Sequence, residues 1–189
     1  MSTGLIITLV VVGIIVLIVA IIAGMYNSLV KLNERVEEAW SDITIQLKRR
    51  ADMLPNLVET VKGYAKHEKE IFEHCADARA KMMGARTVQS VADADRSMLG
   101  ALSRIMAVAE NYPALQANDN FKKLMSEISD TEDKVSASRR FYNAGAKDLN
   151  TKIKVFPFNI LFHSFKIREY YNVDEKEFER VEKAPEVKF

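Results

Sequence analysis

From Gly4 to Met25 the chain reads GLIITLVVVGIIVLIVAIIAGM, without a single charge. A run of this length exceeds the roughly 20 apolar residues that carry a helix across about 30 Å of hydrocarbon. A helix also satisfies its backbone internally, which lipid demands. A core helix of a soluble domain is rarely apolar on every face. A cleavable leader would carry basic residues ahead of the apolar run, and Met1-Ser2-Thr3 supplies none. The pattern predicts a membrane-spanning helix over residues 4–25. Lys31, Arg35, Lys48, Arg49 and Arg50 all follow it, and no Lys or Arg precedes it. That bias places the bulk of the chain on the cytoplasmic side.

Beyond the span the apolar positions change period. Leu29, Leu32, Val36, Ala39, Ile43 and Leu47 step by threes and fours, with Lys31, Glu34, Arg35, Glu38 and Asp42 opposite. This is helical periodicity. Nothing between Met25 and Ser28 interrupts it, so the span is free to run straight into this helix. Pro55 should end or sharply kink it, since proline inside a helix deletes a hydrogen bond and clashes with the preceding turn at a cost of about 3 kcal/mol. Asp52 as an N-cap would then start a second helix over about Met53–Met83, with Leu57, Val58, Val61, Ala65, Ile71, Phe72 and Cys75 inside and Gly84 as its stop. A third helix covers about Val88–Tyr112, with Met98, Leu99, Leu102, Ile105, Met106 and Ala109 inside, and Pro113 forbids its continuation. A fourth covers about Asn118–Val155, capped by Asn118 or Asp119, with Phe121, Leu124, Met125, Ile128, Val135, Phe141, Tyr142, Leu149 and Ile153 inside. Four helices of comparable length with short links pack antiparallel around one core. The expected fold is all-α: an N-terminal transmembrane helix (1–25), then an antiparallel four-helix bundle (26–155); if Pro55 only kinks its helix, the alternative is one long bent helix with two others packed on it.

The last part, 156–189, changes character. Phe156, Phe158, Phe162, Phe165, Tyr170 and Tyr171 crowd a short span, and Pro157 breaks the helix before them. Two readings stand: a strap packed across the end of the bundle, or an interfacial patch facing lipid or another subunit. Beyond Asp174 the charged tail is expected to fray.

Composition narrows the chemistry. Twenty-seven Lys and Arg against 26 Asp and Glu leave a net charge of +1, which removes any bulk electrostatic case for nucleic-acid binding. Seven Gly and four Pro are too few for a turn-rich β fold. The single cysteine, Cys75, excludes an internal disulfide and a cysteine metal centre. His67, His74 and His163 are the only histidines. A di-iron bundle needs Glu-x-x-His twice, and Ile71 stands where the glutamate before His74 would be. HEKEI at His67 starts like a zinc-protease motif but lacks its second histidine. Cys75 and His74 are neighbours on a helix and diverge by about 100°, so Cys75 reads as a small core residue. No cofactor and no metal is expected.

Several stretches resemble one known family. They are YNSLV at Tyr26–Val30, AWSDI and QLKRRADMLPNLVETVKGYAKHE within Ala39–Glu68, AENYPAL at Ala109–Leu115, SRRFYN at Ser138–Asn143 and FPFN at Phe156–Asn159. Together they look like the LemA family: bacterial proteins with one N-terminal membrane helix and a helical bundle. The likeness covers about residues 1–165. Its motif positions here are Trp40, Gln46, Arg49, Arg50, Pro55, Asn56, Leu57, Val58, Lys62, Gly63, Tyr64, His67 and Glu68, then Glu110, Tyr112, Pro113, Tyr142, Asn143 and Asn150. The family has no established biochemical role to lend. The chain departs from the pattern at Phe158, Phe162 and His163, where smaller residues are expected. The resemblance implies a single-pass protein of the bacterial inner membrane.

The polar residues of 39–68 carry two readings. By folding alone, Arg49 and Arg50 pair with acids such as Glu132 on another helix, and Asn56 satisfies backbone groups freed by Pro55. As an interaction face, Trp40, Gln46, Arg49, Arg50, Asn56, Lys62, Tyr64, His67 and Glu68 meet a partner. The functional expectation is a non-enzymatic membrane scaffold or adaptor. It contacts the bilayer through residues 4–25, forms a homo-oligomer, holds an unidentified protein partner and binds no nucleic acid. Two alternatives are a membrane-bound hydrolase using His67 and Glu68, and a protein that transmits a signal through a bistable helix at Pro55.

Overall fold

In the computed structural model, residues 3–172 are described. The elements are α1 (Thr3–Lys62), α2 (Lys69–Gly84), α3 (Val88–Glu110), α4 (Pro113–Ala117), α5 (Asp119–Lys154) and α6 (Phe158–Leu161). All regular structure among the described residues is helical, as the periodicity required. The expected fraying beyond Asp174 lies outside them.

The span does run straight into the bundle. α1 is one helix of 60 residues, about 90 Å long at 1.5 Å per residue. Its first third is exposed on every side, from Leu5 through Ile22, and burial starts only at Leu29. Pro55 does not end it. The expected helix boundary at "RRADMLP" and the N-cap role of Asp52 are therefore both overturned. Asp52 lies inside α1 and faces Arg79 of α2 at 3.7 Å. The chain turns instead at residues 63–68, where Tyr64 and Ala65 N–H groups both close on the Val61 carbonyl. The physical reason is packing: Ala51, Met53, Leu54, Leu57 and Val61 are all buried, and the burial of five apolar side chains outweighs one missing hydrogen bond. Pro55 itself points to solvent.

α1 and α5 form the longest contact in the molecule, and they run antiparallel along its whole length. Lys152 donates to Ser28, Gly145 lies against Val36, Arg50 meets Thr131, and Asn118 reaches Tyr64. Each step up α1 is matched by an equal step back along α5. At Gly145 a β-carbon would stand 3.1 Å from Val36 Cγ2, so the close approach of the two helices there requires the missing side chain. The shorter α2–α3 hairpin covers only the upper part of this pair, with Glu70 of α2 opposite Arg104 of α3. The up-down-up-down order of α1, α2, α3 and α5 is the expected antiparallel bundle. Capping agrees with the local sequence: Asn118 Oδ1 accepts the Phe121 N–H at 2.9 Å, and Thr87 with Ser90 forms a capping box for α3.

Buried positions recur at steps of seven. Leu29, Val36, Ile43, Arg50 and Leu57 mark α1, and Phe121, Ile128, Val135, Tyr142 and Leu149 mark α5. This phase explains two misplaced core residues. Phe141 is 73% exposed and Met106 is 44% exposed, because Tyr142 and Ile105 occupy the inward positions beside them.

The aromatic tail does not cross the end of the bundle. It lies lengthwise against α1 and α5 and continues the layer that α2 and α3 leave unfinished. At one end Tyr26 stacks near Phe162 and Phe165, with centroids 5.9 Å apart in both pairs. At the other, Tyr171 reaches the core beside Trp40, 6.4 Å away. Fourteen residues of α1 separate Tyr26 from Trp40, about 21 Å, which the six steps from Phe165 to Tyr171 cover when extended at about 3.3 Å each.

Pro55→Ala restores the missing donor to the Ala51 carbonyl on an exposed face. The variant should be more stable by about 1–3 kcal/mol, read as a higher denaturation midpoint with an unchanged slope. A lower midpoint would mean that the proline is required by the packing of α1.

Candidate functional site: a buried polar layer under the C-terminal strap

The step of seven along α1 brings Arg50 to a position otherwise held by Leu, Val and Ile. Its side chain is 0% exposed. Burying an unpaired guanidinium would be prohibitive, and three partners converge on it. Nη1 lies 2.8 Å from Asp95 Oδ1 on α3. Nε donates to Thr131 Oγ1 on α5 at 3.2 Å. Nη2 lies 2.6 Å from Glu132 Oε2, in a charge contact not aligned as a hydrogen bond. The expected pairing of Arg50 with Glu132 is present. The Thr131 hydroxyl in turn donates to the Ile128 carbonyl at 2.6 Å.

The strap closes this layer. Tyr171 donates to Asp95 Oδ2 at 3.1 Å, and Arg139 stacks over its ring at 5.2 Å. Two asparagines on α5 hold the strap by its backbone. Asn150 accepts the Arg168 N–H at 2.8 Å and donates to the Arg168 carbonyl at 2.9 Å. Asn143 does the same for Tyr171, at 2.8 and 3.1 Å. Seven residues of helix rise about 10 Å, matching the three extended steps from Arg168 to Tyr171. Tyr142 donates to the Glu169 carbonyl at 2.9 Å and stacks on Trp40 at 5.6 Å. Arg168 reaches across to Asn33 and Glu37 of α1.

Electrostatics follow from burial. Burial pushes the Asp95 carboxyl above its ordinary value; the Arg50 guanidinium pulls the other way, Glu132 adds to the rise, and Tyr171 and Arg139 oppose it. Burial first, then the Asp95 charge and hydrogen bond, push the Tyr171 phenol up. Burial and its neighbour Glu169 raise Tyr142 as well, against Arg168. Burial alone pushes the Cys75 thiol up to about 11, so it is a poor nucleophile. Arg50, Asp95 and Thr131 are buried and committed to one another, with Glu132 partly exposed at the edge; chemically the layer is a lock.

The candidate interaction residues do not gather at this layer. Trp40 is half-buried under the strap, and Arg50 is sealed in the core. Gln46 is half-buried with its Oε1 lacking a partner. Arg49 is on the surface near Glu127 at 3.9 Å. Asn56 is exposed, and its side chain makes no hydrogen bond among the described residues; Thr60 donates to its carbonyl instead. Lys62, Tyr64, His67 and Glu68 cluster at the turn farthest from the span. There Lys62 sits 5.2 Å over Phe72, and Tyr64 accepts a hydrogen bond from Asn118. His74 is near Glu70 at 3.4 Å. Among the described residues no three metal-ligating side chains converge. Sequence reasoning missed Asp95, Thr131 and Arg139, and it named Tyr171 only as one tail aromatic. A signal existed for two of them: Asp95 and Thr131 stand on the inward stripes Val91–Met98–Leu102 and Ile128–Val135.

A model of the LemA family matches residues 39–189. The chain belongs to the LemA family. The LemA match includes Arg50, Asp95, Thr131 and the strap in a single unit. Among similar proteins, "Magnetosome protein MamQ 2" of Paramagnetospirillum magneticum is 29% identical, covering 82% of this chain and 68% of its own length. "Magnetosome protein MamQ" of Magnetospirillum gryphiswaldense is 28% identical, covering 78% and 64%. "Protein LemA" of Metamycoplasma hominis is 26% identical, covering 84% and 73%. Family membership and the wholly apolar, exposed start of α1 make this LemA chain a membrane-associated helical protein.

Arg50→Met leaves Asp95 buried without its cation and should cost about 3–5 kcal/mol, while Arg50→Met with Asp95→Leu should recover most of the loss; chemical denaturation of the three proteins checks both. The raised Tyr171 and Cys75 values set a pH dependence. Above the ordinary value near 9 for a thiol, the unfolded chain releases protons that the folded chain keeps up to about 11. Stability therefore falls as pH rises through this window. Tyr171 acts in the same direction at higher pH. Tyr171→Phe should lose about 1–3 kcal/mol at neutral pH and show a shallower alkaline decline in thermal midpoint.

Proposed function

We propose that this protein is a non-enzymatic scaffold or adaptor held in the bacterial inner membrane by residues 4–25. In this reading the bundle stands on the cytoplasmic side, in keeping with the basic residues that follow the span. The observation that carries it is the single unbroken α1. The helix that enters the bilayer also supplies the central core contacts, so the bundle is carried rigidly from the membrane rather than on a loose linker. Its surface farthest from the span is polar and prominent. Lys62, Tyr64, His67 and Glu68 lie there, on the order of 55 Å along α1 from Tyr26. Beside them Pro55, Val58, Lys62, Phe72 and Arg79 line an open cleft of about 450 Å³. A partner docked at this tip is held near the membrane at raised effective concentration, and copies of the chain sharing one bilayer gain the same advantage for self-association. The similar proteins named for the magnetosome are in keeping with a membrane-associated role.

The tip gathers four residues of the candidate face outside the core, apart from Arg49 and Asn56 on the exposed flank. A photo-crosslinking residue replacing Tyr64 in the full chain, in intact membranes, should capture a specific protein or a second copy, identified by mass spectrometry. A replacement at Arg140, an exposed position on α5 outside this tip, should not capture it. Equal capture at both sites would remove the tip as a docking face. Labelling of Ser2→Cys by an impermeant reagent from outside the cell tests the orientation, and protection there would reverse it.

A further inference from the structure

α5 ends where α1 leaves its apolar stretch. Lys152 donates to Ser28, and Tyr26 lies against Phe162 and Phe165. The segment between, Val155–Leu161, is thereby held level with the last residues of the span. Its apolar side chains divide into two sets. Phe158, Phe162 and Phe165 pack against the core, with Lys152 over the Phe158 ring at 5.2 Å. Phe156, Ile160 and Leu161 face away, 77%, 59% and 44% exposed. The inward set fixes the outward set in place, so this apolar face is rigid rather than a loose tail.

Its charge is equally one-sided. From Leu149 to Ile167 the chain has no Asp or Glu, while Lys152, Lys154 and Lys166 are basic; Arg168 just beyond them is already paired with Glu37. The whole chain is nearly neutral, at +1. Exposed apolar side chains amid cations, beside the end of a membrane span, match the needs of an interfacial anchor: apolar groups enter the headgroup–acyl boundary, and cations meet anionic headgroups.

We propose that Phe156, Ile160 and Leu161 form a second membrane contact, inserted into the same leaflet that α1 leaves and held there by anionic lipid. This rests on residues 4–25 spanning the bilayer. Together the two contacts fix the tilt and rotation of the bundle. A single helix would leave it free to rotate about the span.

Ile160→Cys in the full chain, labelled with an environment-sensitive fluorophore in mixed phosphatidylcholine–phosphatidylglycerol vesicles, tests it. Buried Cys75, with its high thiol pKa, does not compete for the label; Cys75→Ala in a parallel preparation checks this. The label should shift to the blue. It should be quenched by a nitroxide near the headgroup end of the acyl chain more than by one near the terminal methyl. Lys154→Gln with Lys166→Gln should weaken the quenching. A label at Gln116→Cys, at the far end of the bundle, should show neither effect, and one at Val11→Cys should be quenched by the deep nitroxide. Equal behaviour of the 160 and 116 labels, with Val11→Cys still quenched, overturns the second contact alone. Loss of quenching at Val11→Cys overturns the membrane reading with it. Energy transfer between labels at 160 that rises with protein-to-lipid ratio, without headgroup-level quenching, assigns the face to a second copy and also overturns the proposal.

Discussion

One guanidinium decides how the helices of this protein stand against one another. Arg50 is taken wholly out of water and answered by Asp95 on α3 and by Thr131 and Glu132 on α5. Replacing such a cluster by apolar side chains is often neutral or stabilising, so its value is not its net energy. Its value lies in what it forbids. Sliding α3 or α5 by one turn against α1 would leave apolar contacts broadly tolerable but would strand a buried charge. A stack of Leu, Ile, Val and Ala layers admits several registers; one charged layer admits one.

The strap belongs to the same constraint. Asp95 has two oxygens to satisfy, and Arg50 serves one while Tyr171 serves the other. The chain must therefore return from the end of the bundle nearest the apolar run to its middle to complete the layer. Asn143 and Asn150 make that return possible, because a side-chain amide can pair with both polar groups of a residue in an extended segment. They grip the backbone and leave selection to Tyr171. The strap also fills the space beside α1 and α5 that the shorter α2–α3 hairpin leaves open. Tyr142, Trp40 and Tyr171 form its inner surface.

An unbroken α1 joins this core to the apolar span. Any rotation or tilt imposed on the span reaches Arg50 through helix rather than through a hinge. The break at Pro55 on which a bistable helix would rest is absent: Ala51, Met53, Leu54 and Leu57 hold that turn in the core from both sides of the proline. The polar density of residues 39–68 thus separates into parts with different duties. Trp40 and Arg50 build the interior, Arg49 and Asn56 lie along the exposed flank, and Lys62, Tyr64, His67 and Glu68 form the tip.

Much of this was legible in the residues themselves. An uncharged run longer than a bilayer is thick, three-and-four spacing of apolar side chains, Gly84 as a stop and Asn118 as a cap are local signals, and local physics suffices to read them. The pairing of Arg50 with Glu132 was also within reach, since a charge on an inward stripe needs an opposite one. Pro55 does not break the helix because its cost is local and fixed, whereas the burial that outweighs it is supplied chiefly by α5 and α2. Phe141 was misread because its hydrophobicity is local, whereas the phase that turns it outward is set by α1. Asp95, Thr131 and Tyr171 are far apart along the chain, and nothing in one of them announces the others. Sequence alone determined that there would be a wholly apolar helix long enough to cross a bilayer, and further helices with apolar faces, because those follow from period and length. Only the tertiary structure decided which polar groups meet, because a buried charge is defined by its neighbours, and neighbours come from packing.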